Sequence, residues 1–415
     1  MKPRQIALSI AFLLGTPAAY ATDGYFSHGI GVRAQGIGGA GIALPQDGLA
    51  AATNPAGTAF LEDRADVGLT LFRPKRGATI TGNNLGGGVS ADGTYDGNGT
   101  SNFYIPELGL IKHLDQATTG VAIYGNGGMN TYYSKNPYAA FGNTGGAGIN
   151  LEQLFISPSV AYKLDEKNAL GVALNFAYQR FSADGLGAFG GYSASSGNVS
   201  NKGTDSATGW GLRLGWTGNF SPDLTLGLTY ATKIKSGKFS NYSGLFADAG
   251  SFDIPANYGV GLAYKATPAF TLAADVEKIL YSGVPSVANP LSNLSSGNLF
   301  GSANGPGFGW NDVTVVKLGG NYALSDGLTV RAGFNHSTQP IPNDQVFLNI
   351  LAPGVIQDHL TLGTTWKAAG GEISAAYTHG FKKTVTGAIP NNFGSGKASI
   401  SLEEDILGVA YSWKL

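Results

Sequence analysis

Large apolar residues alternate with small or polar residues along most of this chain. From Arg64 onward one unit repeats: an alternating run of about ten residues, a short turn, a second alternating run and a long loop rich in Gly, Ser and Asn. In residues 210 to 216, WGLRLGW, the Trp and Leu residues share one face and the Gly and Arg residues share the other. Successive side chains of a strand point to opposite faces, so each run predicts a strand with one apolar face.

The connections between these runs alternate in length. Six short turns fall at 113–118, 163–168, 218–223, 265–269, 323–327 and 367–371, and seven long loops fall at 77–102, 126–150, 181–206, 236–252, 281–311, 336–357 and 381–399. Thirteen connections join fourteen strands. An even strand number with alternating short and long connections predicts an all-β fold, a 14-stranded antiparallel transmembrane β-barrel with short periplasmic turns and long outer loops.

Composition separates this fold from a soluble one. Charged residues make up 13% of the chain, there are 64 Gly residues, and Tyr and Trp gather at the ends of the alternating runs. A soluble β-sandwich or β-solenoid is the alternative, but it needs neither aromatic girdles nor so few charges. The formal net charge of −1 gives no reason to expect nucleic-acid binding, and the absence of Cys excludes disulfides and thiolate metal ligands.

The N-terminus is typical of an export signal. Lys2 and Arg4 form a positive end, Ile6 to Leu14 an apolar run, and Ala19-Tyr20-Ala21 a small-x-small cleavage site. The run is too short for a transmembrane helix. Residues 1–21 are therefore predicted to be a signal peptide, and the predicted location is the outer membrane of a Gram-negative bacterium.

Residues 22–63 lie between this signal and the first strand and show little alternation. They are rich in Gly and Ala and end near Asn54-Pro55-Ala56, a turn-forming sequence. A fourteen-stranded barrel leaks unless its lumen is filled. We expect residues 22–63 to be a plug, or hatch, inside the barrel of residues 64–415, with a disordered periplasmic tail as the alternative.

This combination resembles the FadL family, outer-membrane transporters of long-chain fatty acids and other hydrophobic compounds. The resemblance covers the whole mature chain and is most specific in the plug, in Gly36 to Gly41 (GIGGAG), Asp47 and the Asn54-Pro55-Ala56 motif. It implies capture of a hydrophobic small molecule on the outer loops, binding in the lumen and lateral release. It also implies a monomer surrounded by outer-membrane lipid and lipopolysaccharide, with no cofactor, no metal and no enzymatic activity.

In that family the third strand carries an inward kink that opens the barrel wall. Here the third predicted strand, Gly120 to Tyr124, runs into Gly125, Asn126, Gly127 and Gly128, where missing side chains favour a bulge. The resemblance therefore implies a lateral exit at these four residues. The alternative is that they begin an outer loop.

Family members also capture ligand in an apolar groove between two outer loops. The corresponding loops here carry Leu186 and Phe189 in one and Leu245 and Phe246 in the other. Exposed apolar clusters favour an interaction surface. The alternative is that the four side chains pack against each other as a lid.

Charged residues on the small-residue faces are candidates for binding a ligand carboxylate. By alternation Arg213, Lys317 and Arg331 point into the lumen. Glu107, Asp275 and Glu277 do so too, so an internal ion-pair network is the alternative.

Catalysis has little support in the sequence. Only His336-Ser337 and His379 are arguable, and no nucleophile, metal or phosphate-loop pattern accompanies them.

Three other functions remain as alternatives for an outer-membrane barrel. One is a passive porin for small solutes, the second an uptake channel for aromatic hydrocarbons such as toluene, and the third an adhesin or receptor that works through its loops. Inward charges are compatible with fatty acids and with hydrocarbons alike, so the sequence leaves the substrate open.

Overall fold

The computed structural model describes residues 23–368 and 370–415. The predicted signal peptide, residues 1–21, lies outside the described residues. Among the described residues, no helix is long and apolar enough to cross a bilayer.

Fourteen long strands and two short ones form one antiparallel sheet. The strands are β1 (Arg64–Thr81), β2 (Gly93–Asp96), β3 (Phe103–Leu114), β4 (Ala117–Tyr133), β5 (Ala147–Lys163), β6 (Asn168–Asp184), β7 (Asp205–Ser221), β8 (Leu224–Ala231), β9 (Lys235–Ser236), β10 (Asn257–Thr267), β11 (Phe270–Ile279), β12 (Val313–Ser325), β13 (Leu328–Ser337), β14 (Asp358–Ala368), β15 (Gly371–Ala388) and β16 (Lys397–Lys414). Each long strand pairs with its neighbours in sequence, and β16 pairs with β1. The pairing closes a 14-stranded barrel and confirms the predicted fold class; β2 and β9 are short additions on β1 and β7.

The helices are all single turns or little more. The α-helical turns are Val32–Gln35, Ala247–Gly250 and Pro285–Ala288. The 3₁₀ turns are Gly48–Ala52, Pro55–Phe60, Ala139–Phe141, Gly187–Tyr192, Ser196–Asn198, Ser240–Tyr242, Tyr281–Gly283, Leu291–Ser296, Asn343–Gln345 and Leu348–Ile350. Val32–Gln35, Gly48–Ala52 and Pro55–Phe60 precede the first strand, and the other turns lie in the outer loops.

The strands extend further on the loop side than their apolar alternation predicts. All six short turns lie where they are expected, but β1 continues to Thr81 and β15 to Ala388. The long loops predicted at 77–102, 126–150 and 381–399 are therefore too long. The sequence signal ends where one face stops being apolar, whereas the ladder of main-chain hydrogen bonds does not require an apolar face and continues.

The outer face of the barrel is apolar. On β6 the side chains of Leu170, Val172 and Leu174 are exposed by 48, 41 and 41%, and on β7 those of Trp210, Leu212 and Leu214 are exposed to a similar extent. The intervening residues face inward and are mostly buried. This is the alternation expected of strands between lipid and a filled lumen.

Residues 23–63, here called the N-terminal segment, lie inside the ring of strands. Nearly all are buried, and they contact strands on opposite sides of the barrel. Many of these contacts join glycine to main chain. A Cβ on Gly109 of β3 would lie 2.4 Å from the carbonyl carbon of Gly48, and one on Gly333 of β13 would lie 2.2 Å from that of Ile37. The wall glycines thus let the backbone of the segment approach the strands closely.

Two capped 3₁₀ turns shape this segment. The Asp47 side chain accepts a hydrogen bond from the Leu49 amide at the first turn, and the Asn54 side chain accepts one from the Ala56 amide at the second. Pro55 at the first position of the second turn needs no donor there. Such local bonds supply hydrogen-bond partners for backbone amides of a segment that forms no β-strand.

An apolar cluster closes the outer end of the barrel. It joins the outer loops to the start of the N-terminal segment, so that Tyr25 lies against Tyr281 and Trp310 with ring centroids 5.2 and 5.9 Å away. Phe246 and Phe347 belong to the same cluster. The loops therefore fold as a compact cover over the lumen.

Candidate ligand path through the lumen

The barrel wall is interrupted between β3 and β4. Their pairing begins at Leu114 with Ala117 and ends at Leu108 with Ile123. Beyond this pair, toward the outer loops, the described residues of the two strands do not pair with each other. Further up, β3 pairs with β1 and β4 pairs with β5. The main chain around Gly97 to Gly99 bonds Tyr132, near the outer end of β4. A gap in the described hydrogen-bond ladder is left along residues 124–131 of β4.

A bulge in β4 accompanies the gap. Gly125 pairs with Leu154 and Gly127 with Gln153, so Asn126 is an extra residue. Its Nδ2 donates a hydrogen bond of 3.0 Å to Gln153 Oε1. The structure thus places Gly125 to Gly128 inside a strand, and the alternative that these residues begin an outer loop is wrong. The extra residue bends the strand away from a regular ladder.

The N-terminal segment occupies the free edge of β4. The Ser27 amide donates to the Asn126 carbonyl at 3.1 Å, and the Gly128 amide donates to the Tyr25 carbonyl at 3.0 Å. A Cβ on Gly127 would lie only 1.9 Å from that Tyr25 oxygen. Residues 25–27 therefore replace β3 as the partner of β4. This close approach requires glycine at position 127, because any side chain there would overlap the Tyr25 carbonyl.

The inner surface beside the gap is apolar. Phe103 and Ile105, on the part of β3 that does not pair with β4, pack with Phe72 and Ile406 in a buried cluster. On the other side of the gap Tyr124 lies 5.4 Å from Phe155, ring to ring. Both edges of the interruption are lined by side chains that suit an apolar molecule.

A small cavity connects the kink with the polar wall. It measures about 40 Å³ and touches Phe26, Asn126, Arg213 and Lys317, among others. This volume holds a few water molecules but no organic ligand. Passage of a ligand past this point requires the N-terminal segment to move.

The Asn54-Pro55-Ala56 motif lies on the inner face of β6 and β7. Asn54 Nδ2 is within hydrogen-bond distance of the Ile42 and Trp216 carbonyls, at 2.7 and 3.0 Å, and of Thr217 Oγ1 at 3.1 Å. A Cβ on Gly171 would lie 2.3 Å from the Ala56 nitrogen. The motif ties the N-terminal segment to the wall.

The three predicted lumen cations all face inward, and each contacts a wall residue or the N-terminal segment. Arg213 donates to the Thr53 carbonyl at 3.2 Å, and Arg331 Nε donates to Gln46 Oε1 at 3.0 Å. Lys317 forms an ion pair with Glu277 at 3.0 Å. The ion-pair alternative therefore describes Lys317, whereas Arg213 and Arg331 bond uncharged groups of the wall and of the N-terminal segment.

A belt of five polar residues crosses six consecutive strands at one level of the lumen. In register it runs through Asp275, Lys317, Asn335, His359 and Glu404 on β11, β12, β13, β14 and β16, with Gly380 on β15 between the last two. All five are buried. Sequence reasoning missed His359 and Glu404, although alternation with the lipid-facing Leu360 and Leu407 would have placed both inward.

Two residues of the N-terminal segment complete this belt. Asn335 Nδ2 donates to Asp23 Oδ2 at 3.3 Å, and the His28 ring stacks on His359 with centroids 5.6 Å apart. Burial raises the pKa of Asp23 to about 7; burial together with Lys317 lowers that of His28 to about 3.

Acidic groups outnumber basic ones in the belt. Glu404 contacts His359 Nε2 at 3.1 Å, and its second oxygen, like Asp23 Oδ1, has no hydrogen-bond partner among the described residues. Lys317 is the one lysine of the belt and already pairs with Glu277. The belt is therefore a poor site for a second carboxylate.

The four outer-loop residues predicted to form an exposed groove are buried. Leu186, Phe189, Leu245 and Phe246 are exposed by 0, 4, 9 and 3%. Their two loops bond each other directly, for example from Ser193 Oγ to the Gly244 carbonyl at 2.7 Å. The expectation of an exposed surface was wrong, and the alternative of a packed lid describes the structure, because burying these aromatic and aliphatic groups removes them from water.

The arguable catalytic histidines lie on the outside of the barrel. His336 Nδ1 is 2.7 Å from Asp358, whereas the next residue, Ser337, points inward and is buried. His379 bonds Asp405, and with Glu403 these three offer ligand atoms within 4.8 Å of one another. Neither histidine has a serine hydroxyl as a recorded hydrogen-bond partner.

Comparisons with known proteins match this architecture. The family model described as outer membrane protein transport protein (OMPP1/FadL/TodX) matches residues 18–410. No curated protein sequence matches the chain. Among solved structures, the Pseudomonas putida toluene transporter TodX has a TM-score of 0.68 at 17% identity, covering 94% of this chain and 99% of that one. A Pseudomonas aeruginosa FadL homologue has a TM-score of 0.68 at 16% identity, covering 93% and 99%. The Ralstonia pickettii toluene transporter TbuX has a TM-score of 0.64 at 18% identity, covering 94% and 99%.

Proposed function

Because the chain belongs to the OMPP1/FadL/TodX family of outer-membrane transporters of hydrophobic compounds, we propose that it releases its ligand sideways, through the gap between β3 and β4. The observation that carries this proposal is the loss of the β3–β4 ladder above Ile123, next to the bulge at Asn126. An apolar molecule loses about 25 cal/mol for each Å² that it exposes to water. Exit into the bilayer avoids that cost, whereas exit into the periplasm incurs it.

The N-terminal segment acts as the gate of this path. It supplies the hydrogen-bond partners of β4 at Tyr25 and Ser27, and the cavity beside them, about 40 Å³, is too small for an organic ligand. Withdrawal of residues 25–27 frees the edge of β4 and enlarges that cavity. Asn54 keeps the rest of the segment on β6 and β7, so the movement is confined to the first residues.

We propose further that the ligand is uncharged. Asp23, Asp275, Glu277 and Glu404 surround a single lysine at the level where the segment meets the wall. A carboxylate here would find the lysine already paired, and its charge would oppose that of Glu277 and the ionisation of the other acidic groups in a medium of low dielectric constant. Aromatic hydrocarbons carry no such charge, and two of the similar solved structures are described as toluene transporters.

Uptake in a host without its own transporter tests the ligand class. Cells expressing this protein are expected to take up toluene and to take up little oleate. At pH 8, where Asp23 is ionised, replacing Asp23 by Asn together with Glu404 by Gln should raise oleate uptake several-fold, since the charge of Asp23 is lost and neither position can repel the ligand carboxylate. Glu403→Gln is the matched control because Glu403 faces outward on the same strand. Efficient oleate uptake by the unaltered protein would contradict the proposal.

The binding of residues 23–28 inside the lumen should depend on pH. The pKa of Asp23 is raised to about 7 while residues 23–28 are bound in the lumen. When these residues are released into water, Asp23 loses its proton near pH 4, as a free carboxyl group does. This binding therefore weakens as pH rises from about 4 to 7. Lys317, the hydrogen bond from Asn335 and His336 oppose the rise in the pKa of Asp23, and Glu277 reinforces it.

Hydrogen exchange measures this effect. After correction for intrinsic exchange rates, the amides of residues 25–28 are expected to be better protected at pH 5 than at pH 8. Asp23→Asn should remove the difference. Equal protection at both pH values in the unaltered protein would contradict the assignment of Asp23 as the titrating group.

A further inference from the structure

The outward faces of β3, β1, β16 and β15 form level rows. One row consists of Tyr104, Leu71, Leu407 and Tyr377, which are paired in register across the four strands. The two tyrosines and Leu407 are exposed by 42 to 51%. Exposed tyrosines beside lipid-facing leucines are typical of the level where the hydrocarbon layer meets the headgroups.

Charged residues occupy the next rows toward the outer loops. Arg73 and Asp405 lie one step of two residues above Leu71 and Leu407, and Lys75 and Glu403 lie a second step above. Each step rises about 7 Å along a strand. These side chains therefore lie at the depth of the lipid headgroups of the outer leaflet.

The carboxylates of this patch already have hydrogen-bonded partners. Lys75 Nζ lies 2.9 Å from Glu403 and 3.5 Å from Asp405, and His379 Nδ1 lies 2.9 Å from Asp405. Arg73 is exposed and forms no ion pair with the described residues. The same holds for Lys382 on β15. Two unpaired cations, Arg73 and Lys382, thus stand beside two carboxylates that share Lys75.

A polar concavity lies directly above this patch. It measures about 500 Å³ and lies on the outer side of the extended strands. Two acidic residues, Asp96 and Glu403, lie in its wall, and Glu403 is paired with Lys75. Lys75 and Lys382 line it together with small and hydroxyl-bearing residues: Gly77, Thr79, Thr94, Thr384, Ser399 and Ser401. Hydroxyl groups and lysines on a concave wall suit a sugar that carries phosphate.

We propose that this surface binds the phosphorylated sugar headgroup of an outer-leaflet glycolipid, namely lipopolysaccharide. Arg73 and Lys382 bind phosphate oxygens, the hydroxyl-lined concavity holds the sugar, and the row of Tyr104 and Tyr377 meets the beginning of the acyl chains. Arg forms bidentate contacts with phosphate, and Lys acts as a point charge. The surface is separate from the ligand path, which lies inside the barrel.

Binding of purified lipid to the full-length protein in detergent tests this site. Lipopolysaccharide with intact phosphates is expected to bind the unaltered protein. The double variant Arg73→Ala/Lys382→Ala should bind roughly tenfold more weakly or worse, because two charge-assisted contacts are lost. Enzymatically dephosphorylated lipopolysaccharide should bind the unaltered protein as weakly as intact lipid binds the double variant.

The control removes two exposed lysines elsewhere on the loop side, in Lys202→Ala/Lys235→Ala, and should bind like the unaltered protein. Equal binding of intact lipid by the Arg73/Lys382 double variant would overturn the proposal. So would equal binding of the dephosphorylated lipid. Binding that is abolished by a chelator and insensitive to the double variant would instead assign the contact to a divalent cation at His379, Glu403 and Asp405, and would also overturn it.

Discussion

Deletion of Asn126 is expected to abolish most ligand uptake while the barrel still folds. Gly125 and Gly127 pair with the neighbouring residues Leu154 and Gln153, so removing Asn126 leaves a regular ladder with every later side chain on its present face. A regular β4 can extend its pairing with β3 and close the gap. We expect uptake to fall by about tenfold or more, corresponding to at least ~1.4 kcal/mol in the barrier to exit.

The control for this deletion is Asn126→Ala, which keeps the extra residue and loses only the side-chain bond to Gln153. It should transport nearly as well as the unaltered protein. Valine substitutions at Gly125 to Gly127 are less informative, because a side chain at Gly127 would also displace Tyr25. Folding is checked by heat-modifiable electrophoretic mobility. Normal uptake by a folded variant that lacks Asn126 would contradict the lateral-exit proposal.

Gly171→Val is expected to turn a closed barrel into a leaky one. The new Cβ would lie 2.3 Å from the Ala56 nitrogen and 2.4 Å from the Pro55 carbonyl carbon, and backbone atoms on both sides cannot move apart without unseating the motif. Overpacking of this kind costs about 1–3 kcal/mol or more. We expect the N-terminal segment to detach from β6 while the lipid-facing side chains of β6 stay in place.

Conductance in planar bilayers measures the leak. The unaltered protein should conduct little, since its lumen is filled and the cavity beside the gate is about 40 Å³. Gly171→Val should show frequent openings. Val172→Leu, a change on the lipid-facing side of the same strand, is the matched control and should stay closed. Large conductance in the unaltered protein would favour the passive porin instead.

Much of the barrel can be predicted from the sequence because each residue of a membrane strand faces either lipid or lumen. The run around Trp210 and the short turns between strands carry this two-residue period directly. The loop-side boundaries are the exception. Beyond the bilayer neither face is consistently apolar, so the extension of β15 to Ala388 left no signal in the pattern.

The arrangement inside the lumen could be predicted only in part. Glycine at 125, 127 and 128 permits a bulge. The sequence does not show that β4 separates from β3 rather than from β5, because this depends on contacts with distant residues: Tyr25 and Ser27 on one edge of β4 and Gln153 on the other. For the same reason, apolar residues in the outer loops could not be sorted into exposed and buried. Phe246 is buried by aromatic partners such as Phe181 and Phe252.

The sequence by itself therefore determined the class of the protein: a fourteen-stranded barrel with an apolar outer face and a Gly-rich segment ahead of its first strand. These features follow from local periodicity and composition, which any reader of the chain can count. Only the tertiary structure decided that Asn126 is the bulged residue, that residues 25–27 take the place of β3, and that Asp23 joins His359 and Glu404 in an acidic belt. Those contacts join residues up to several hundred positions apart, and no local pattern records which distant groups the closed barrel brings together.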